Sequence, residues 1–381
     1  MARLGDLCRF INGDRGKNYP SQAEISSDGD VPFINAGHLV NGKLDFSDMN
    51  YISEEKYNQL NSGKIQENDV LYCLRGSLGK KAIIKGISKG AIASSLVIIR
   101  PDARLINSDY LFYALESPTV QEQMMQANNG SSQPNLSAKS VSDYTFNLPT
   151  INEQCEIVSK LAKVNDLISL RKEQLVKLDE LVKARFVELF GSVEDNRFGI
   201  KTVKIKDACD LINGKAFKPE DWSDTGLPIV RIQNLNNEHA PFNYFEGKIK
   251  EQYLIDTGEL LFSWSGTPGT SFGAFFWNRG KAVLNQHIFR VKPKLDFNLL
   301  FLQFALNGRI DFIISKAHGG VGLQHITKKE LDEVELLLPT IDCQKQFASF
   351  VEQTDKSKLT IQQSLDKLET LKKSLMQKYF G

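Results

Sequence analysis

The chain has 381 residues, and at roughly 100–200 residues per domain two or three domains are expected. Hydrophobic residues make up 41% and charged residues 24%, a globular balance that excludes disordered and collagen-like chains. Lysine and arginine number 47 against 46 acids, a formal charge of +1, so no overall field announces a polyanionic partner and only local patches could attract one. No apolar run approaches the ~20 residues that cross a bilayer. The opening residues 1–16 lack the apolar core of a signal peptide. Cys8, Cys73, Cys155, Cys209 and Cys343 are odd in number, scattered and free of any Cys-x-x-Cys. The expectation is a cytoplasmic protein with no disulfide framework, no zinc site and no membrane contact.

In chain order, Asp6-Leu-Cys-Arg-Phe-Ile-Asn-Gly13 leads into the loop Asp14-Arg-Gly-Lys-Asn-Tyr19. Short apolar, β-branched runs at Val70–Leu74, Ala82–Ile84 and Ala93–Ile99, parted by Gly, Asn, Asp and Pro clusters, predict strands. Tyr110–Gln126 predicts a helix, and Ser137 a helix start. Beyond Pro149 the period changes. Ile157, Leu161, Val164, Ile168, Leu175, Leu178, Val182 and Leu189 step by 4, 3, 4, 7, 3, 4 and 7, a heptad seam with Arg171 in one core slot. About 40 residues without an interior Gly or Pro predict one helix of about 60 Å.

The second half repeats the first. Phe146-Asn-Leu-Pro-Thr-Ile-Asn-Glu-Gln154 matches Leu336-Leu-Leu-Pro-Thr-Ile-Asp-Cys-Gln344 at an offset of 190, and Leu189-Phe-Gly191 matches Tyr379-Phe-Gly381. Asp69–Gly79 matches Glu259–Gly269 at the same offset, but Asp6–Gly13 matches Asp207–Gly214 at 201. The first repeat therefore carries 11 extra residues between about Asp14 and Asn68. Two long repeats imply a pseudo-dimer on one chain, not a solenoid. In the second repeat Ile229–Ile232 predicts a strand and Asn298–Ser315 a helix. Its seam is noisier: Phe347, Val351, Thr354, Lys358, Ile361, Leu365, Leu368, Lys372 and Tyr379, supported by Leu371 and Leu375.

A long helix with one apolar stripe needs a partner, and each repeat supplies the other's. Approximate two-fold symmetry would make the pair antiparallel; packing of each helix on its own domain is the alternative. The expected fold is mixed α/β (α+β), with two pseudo-symmetric domains joined by two long helices forming an antiparallel coiled coil. The boundaries are a domain over 1–150, a helix over 151–191, a domain over 192–340 and a helix over 341–381.

These residues carry a resemblance. Leu148-Pro-Thr-Ile-Asn-Glu-Gln154, the Asn128-Asn-Gly-Ser-Ser-Gln-Pro-Asn-Leu136 run before it and the paired Gly-x-x-Gly loops, in duplicate, resemble the specificity subunit of Type I restriction–modification systems over essentially the whole chain. The resemblance implies two target-recognition domains. It also implies a coiled coil that sets half-site spacing and binds two modification subunits. Two departures stand out: Cys343 replaces Glu153, and His318-Gly-Gly-Val-Gly-Leu-Gln324 is a looser version of the Gln-Pro-Asn run.

The chain itself lacks catalytic signatures. It has no Pro-Pro pair for an amino-methyltransferase motif, and Gly76-Ser-Leu-Gly-Lys80 has neither the spacing nor the hydroxyl of a nucleotide-binding P-loop. No Gly-x-Ser-x-Gly, no His-Glu-x-x-His and no nuclease-like acidic dyad occurs. His318 and His325, in a Gly-rich stretch, suit surface polar duty better than a metal.

Bases are read by side chains that bond two groups at once, Arg and Lys on guanine, Asn and Gln on adenine. Phosphates take Lys, Arg, hydroxyls and backbone N–H groups. The candidates are therefore Arg75, Ser77, Lys80 and Lys81, in a stretch that runs through Lys85 and Lys89 without an acid. Its uncharged counterpart offers Ser265 and Thr267. Asn128, Gln133 and Asn135 match Gln324 and His325 in the second repeat. Arg231, Gln233 and Asn234 alternate as on a strand, and Arg15, Lys17, Lys215 and Lys218 lie where the repeats diverge after Ile-Asn-Gly. The alternatives are a solvated hairpin for the Arg75 run, a strand turn for Ser265 and Thr267, a capped turn for the Asn128 run and an exposed sheet edge for Arg231 to Asn234.

The reading is a non-catalytic subunit that recognises double-stranded DNA in two interrupted halves and recruits modification and restriction subunits. No cofactor is expected in this chain. S-adenosylmethionine belongs to the partner methyltransferase, and ATP with Mg to the partner restriction subunit. A coiled-coil scaffold that binds no DNA is the rival, and a self-sufficient methyltransferase or nuclease the third reading.

Overall fold

The computed structural model describes residues 1–128, 134–267, 270–320 and 323–381. It divides into two compact units, Met1–Glu173 with Gln362–Gly381, and Gln174–Ile361.

In the first unit β1 (Cys8–Asn12), β2 (Val70–Cys73), β3 (Lys81–Ile83) and β4 (Leu96–Pro101) form an antiparallel sheet in the order β1-β4-β2-β3. In the second, β5 (Cys209–Asn213), β6 (Leu260–Ser263), β7 (Gly273–Phe276) and β8 (Ile288–Pro293) form the sheet β5-β8-β6-β7, the same order and sense. The unbroken apolar runs of β2 and β4 have a physical cause. Val70, Tyr72, Val97 and Ile99 enter the core under the helices, while Leu71, Cys73, Leu96 and Ile98 enter a second core on the opposite face. Both faces are buried, so the period-2 alternation of a half-exposed strand is lost.

A parallel pair sits beside each sheet, Phe33–Ala91 with Ile34–Ile92 and Ile229–Val283 with Val230–Leu284. Phe33 and Ile229 differ by 196. The 11 extra residues of the first repeat therefore divide into five before Phe33 and six between Ile34 and Asp69.

Three expected elements differ. Tyr110–Gln126 is broken into helices Ser108–Ala114 and Pro118–Ala127, because the Ser117 hydroxyl accepts from Val120 N and Pro118 has no N–H to continue the first helix. Asn298–Ser315 likewise divides into Leu299–Asn307 and Ile310–Ser315 at Gly308. Ile229–Ile232 is a strand only to Val230, and a short helix, Ile232–Asn236, follows.

The two long helices run Ile151–Phe190 and Ile341–Phe380. Within each unit they are antiparallel. In the first, Ile157 and Leu161 share a core with Met376 and Phe380, and Lys172 lies 3.1 Å from Glu369. In the second, Val182 and Phe190 share a core with Phe347 and Val351, and Lys358 pairs with Asp179. Ile157, Leu161, Val164, Val351 and Leu365 are buried, and Ile168, Leu175, Leu178, Ile361 and Leu368 half-buried. Leu371, expected to support the seam, is 45% exposed, and Met376 takes the inward place instead.

The Leu-Pro-x-x-x-x-Gln motif is a bolt. Gln154 is fully buried; its Oε1 accepts from Asn107 N at 2.8 Å, and its amide donates to the Leu105 and Pro149 carbonyls. Gln344 repeats this with Asn298 N at 2.9 Å and the Pro339 carbonyl. Asn107 and Asn298 in turn cap the helices above them. Each Phe-Gly ending is an anchor as well. Phe190 packs at 5.1 Å on Phe301 in the second unit, and Phe380 at 5.0 Å on Tyr110 in the first. The end of each repeat's helix is thus built into the unit of the other repeat.

Candidate nucleic-acid interface

The structure brings several candidate loops together within each unit. In the first, Arg75 and Asn135 form an antiparallel bridge, Gly76 N donates to Pro134 O at 3.2 Å and Leu136 N to Leu74 O at 2.8 Å. Asn128 Oδ1 accepts from Asn135 N at 3.1 Å, which ties the ends of that loop. Arg75, Ser77 and Asn128 are exposed along this edge, and Lys80 is half-buried. Gly79 sits at φ +75°, in the left-handed region, and that backbone conformation favours the glycine. Gln133 lies outside the described residues.

The second unit makes the same edge at positions 190 further on. Ser265 pairs with His325 and Gly266 with Gln324, and Gly319 and His318 continue the ladder. His318 and His325 face each other across strands, where the Gly-rich sequence suggested an open loop. Thr327 Oγ1 donates to Glu330, and His318 Nε2 meets the same carboxyl at 2.6 Å; together they hold Glu330 down at about 2. Among the described residues no three His, Cys, Asp or Glu side chains gather as a metal site would require. Ser265 is buried, Thr267 and His325 exposed, and Gln324 half-buried.

The Ile-Asn-Gly motif explains itself here. A Cβ on Gly214 would lie 2.3 Å from the carbonyl oxygens of Leu284 and Asn285, and one on Gly13 2.8 Å from those of Ile92 and Ala93. The backbone approach admits only glycine, and it sets the divergent loops against the entry to β4 and β8. Arg15 and Lys17 are exposed on a short 3-10 turn. Lys218 is exposed 3.7 Å from Glu220. Lys215 Nζ lies 4.3 Å over the Phe245 ring and 3.7 Å from Asp221, so much of its charge is already matched.

Three expectations are corrected. Lys81 turns toward the helical layer, 4.7 Å over the Phe112 ring, and burial pulls its pKa down; this half-buried side chain packs on the ring. Asn234 is 1% exposed. Its Oδ1 accepts from Arg231 N, and its amide donates to the Ala240 and Pro241 carbonyls. In the first repeat His38 does the same work, accepting from Asn35 N at 3.1 Å through Nδ1 and meeting Asp48 O at 3.1 Å. Asn234 is therefore a fold residue. Arg231 and Gln233 do not share a strand face, because Arg231 caps a helix that contains Gln233. The Arg231 guanidinium lies 5.6 Å over Trp222 and donates to Asn243, while Gln233 is exposed and donates to Pro241 O.

One segment was missed. Ile288 N donates to Asn285 O, which closes a β-turn with Gln286 and His287 at its corners. Leu96 N donates to Ala93 O and closes the matching turn around Ser94 and Ser95. The run Ala93–Ile99 read as one strand, and that hid the turn. The signal was the polar Ser-Ser and Gln-His pairs at matched places ahead of apolar strands.

Two copies of one α+β frame with divergent polar edges, tied by long antiparallel helices, define a duplicated recognition module. The chain belongs to the Type I restriction modification DNA specificity domain family, whose model matches residues 1–180 and 199–372, and it is a specificity subunit and not a catalytic one. The MjaVIII specificity subunit of Methanocaldococcus jannaschii is 23% identical over 62% of this chain, an alignment spanning 55% of that relative. Among solved structures, a chain described under complex assembly and conformational transition of the type I R-M system superposes with a TM-score of 0.65, at 18% identity, covering 99% of this chain and 96% of that one. The Type-I S subunit from M. genitalium gives 0.57 at 13% identity, covering 100% and 95%. These likenesses show the fold. No described helix is long and apolar enough to cross a membrane.

Proposed function

We propose that each unit reads one half of a bipartite, interrupted DNA target through the major groove, and that the long helices fix the gap and receive two modification subunits. The observation that carries this is the matched edge. Matched backbone pairing joins Arg75 to Asn135 in one repeat and Ser265 to His325 and Gly266 to Gln324 in the other, and the same segments expose Ser77 and Asn128 in the first and Thr267 and His325 in the second. A scaffold needs no such pair of differently furnished faces. On that edge Arg75 holds a phosphate, and of the remaining candidates Lys80, Arg15, Lys17, Lys215, Lys218, Arg231 and Gln233 serve phosphates or flanking bases.

The near-neutral chain leaves much of the phosphate work to its partners, so DNA binding by this chain alone is weak. S-adenosylmethionine is bound by the modification subunits, and ATP with Mg by the restriction subunits. The complex acts in the cytoplasm. Selection from a random duplex pool by the purified complex with its methyltransferase tests this. Enrichment of a two-part sequence with a fixed gap is expected; a stable complex that enriches nothing favours the scaffold reading.

A further inference from the structure

The β-turns ahead of β4 and β8 are held by one frame. Ala93 N donates to Ile34 O at 2.8 Å, and Asn285 N to Val230 O at 3.1 Å. Leu74 N donates to Ser95 O, and Trp264 N to His287 O. Backbone position is fixed twice, and the corner side chains differ: Ser94-Ser95 in one unit, Gln286-His287 in the other, where Asn285 Oδ1 also accepts from His287 N. The turn also lies among the candidate loops of its unit, for Gln286 N donates to Lys215 O and the His287 ring lies 5.6 Å from Trp264. Gln286 is exposed, and its Nε2 is 3.2 Å from His287 Nε2. Two enclosed polar atoms at this turn, His287 Nδ1 and Trp264 Nε1, have no hydrogen-bond partner among the described residues.

We propose that Gln286 is a specificity-determining residue of the second unit that reads an adenine edge, with His287 as the positioning residue that aims its amide. This rests on the DNA-recognition reading above. A neutral imidazole accepts one amide hydrogen of Gln286 at Nε2. The second hydrogen and Oε1 remain to donate to adenine N7 and accept from N6, the bidentate pair that singles out adenine. Burial, and then the charge of Arg231, push the His287 pKa down, which favours that neutral form. In the first unit the short Ser94 and Ser95 hydroxyls offer no bidentate pair, so the same turn carries less base information there.

The test is the methylation motif written by the complex with its methyltransferase, for wild type, Q286A and the double variant Q286S/H287S, which installs the first unit's corners. In Q286A, discrimination at one adenine position of one half-site should fall on the order of 10- to 100-fold, with the other half-site and the gap unchanged. The double variant should relax the same position. An unchanged motif in both overturns the proposal. Should Q286A methylate nothing, titration of its purified complex against duplexes substituted base by base decides. Lost discrimination at one position supports the reading; equal weakening on every duplex makes Gln286 a fold residue and overturns it. If the wild-type complex itself writes no two-part motif, the functional reading fails, a result distinct from failure of Q286A alone.

Discussion

The two units share a frame and differ at its edge. Where the first presents the exposed Arg75 beside Asn135, the second presents the buried Ser265 beside His325. Where the first turns on Ser94-Ser95, the second turns on Gln286-His287. The frame itself hardly differs. Gln154 and Gln344 make the same bolt, and His38 and Asn234 make the same cap with different chemistry. Buried Asp69 grips Arg100 at 2.8 Å through both oxygens, as Glu259 grips Arg290. Polar groups inside the frame must be paired wherever the chain goes, so their roles persist even when residues change. Edge residues answer only to what docks on them.

The widest separation of the two units comes from their anchors. Phe190→Ala should cost the second unit about 3–5 kcal/mol and leave amide exchange in the first unit near wild type; Phe380→Ala should do the reverse. Hydrogen exchange resolved by peptide reads both. Equal loosening of both units by either change would show that the helix ends are not assigned as described.

Next come the bolts. Gln154→Ala removes three hydrogen bonds and orphans the half-buried Asn107 N–H, for about 1–3 kcal/mol. Gln344→Ala removes two and should cost less, as local exchange at Asn298 would register.

The charge difference is smaller in energy and clearer in kind. Arg75→Ala should lower the slope of log K against log salt by about 0.9, as loss of one phosphate contact does, and weaken all sequences alike. Thr267→Ala, at the uncharged edge, should leave the slope alone. If Arg75→Ala instead relaxes one base position, Arg75 reads a guanine and the division of labour moves.

The smallest effect lies at the helix starts. Thr150 N and Oγ1 donate to Glu153 at 2.8 and 2.7 Å, whereas Cys343 offers no acceptor to Thr340. Cys343→Glu should transplant the capping box and slow amide exchange in the first turn of the second long helix only.

Much of this was legible in the sequence because repetition and period are strong signals. The repeat offsets, the two helices and the heptad seam follow from spacing alone, and even the noisy slots Thr354 and Lys358 turn inward. What was not legible is three-dimensional. Nothing in Arg231–Asn234 says that the chain caps a helix there and does not extend, since alternation over four residues fits both. Lys81 belongs by sequence to a basic run, and only the ring of Phe112 beneath it shows that it packs. The corner pairs Ser94-Ser95 and Gln286-His287 were hidden because a tight turn leading into an apolar strand reads as more strand.

One chain carrying two independent readers should write a bipartite mark. The most direct measurement co-expresses it with its methyltransferase partner and maps methylated adenines across the host genome by single-molecule sequencing. A two-part motif with a fixed gap, whose gap lengthens when one heptad is inserted into both long helices, is the predicted result. A single uninterrupted motif, or a gap unmoved by the paired insertion, would contradict it.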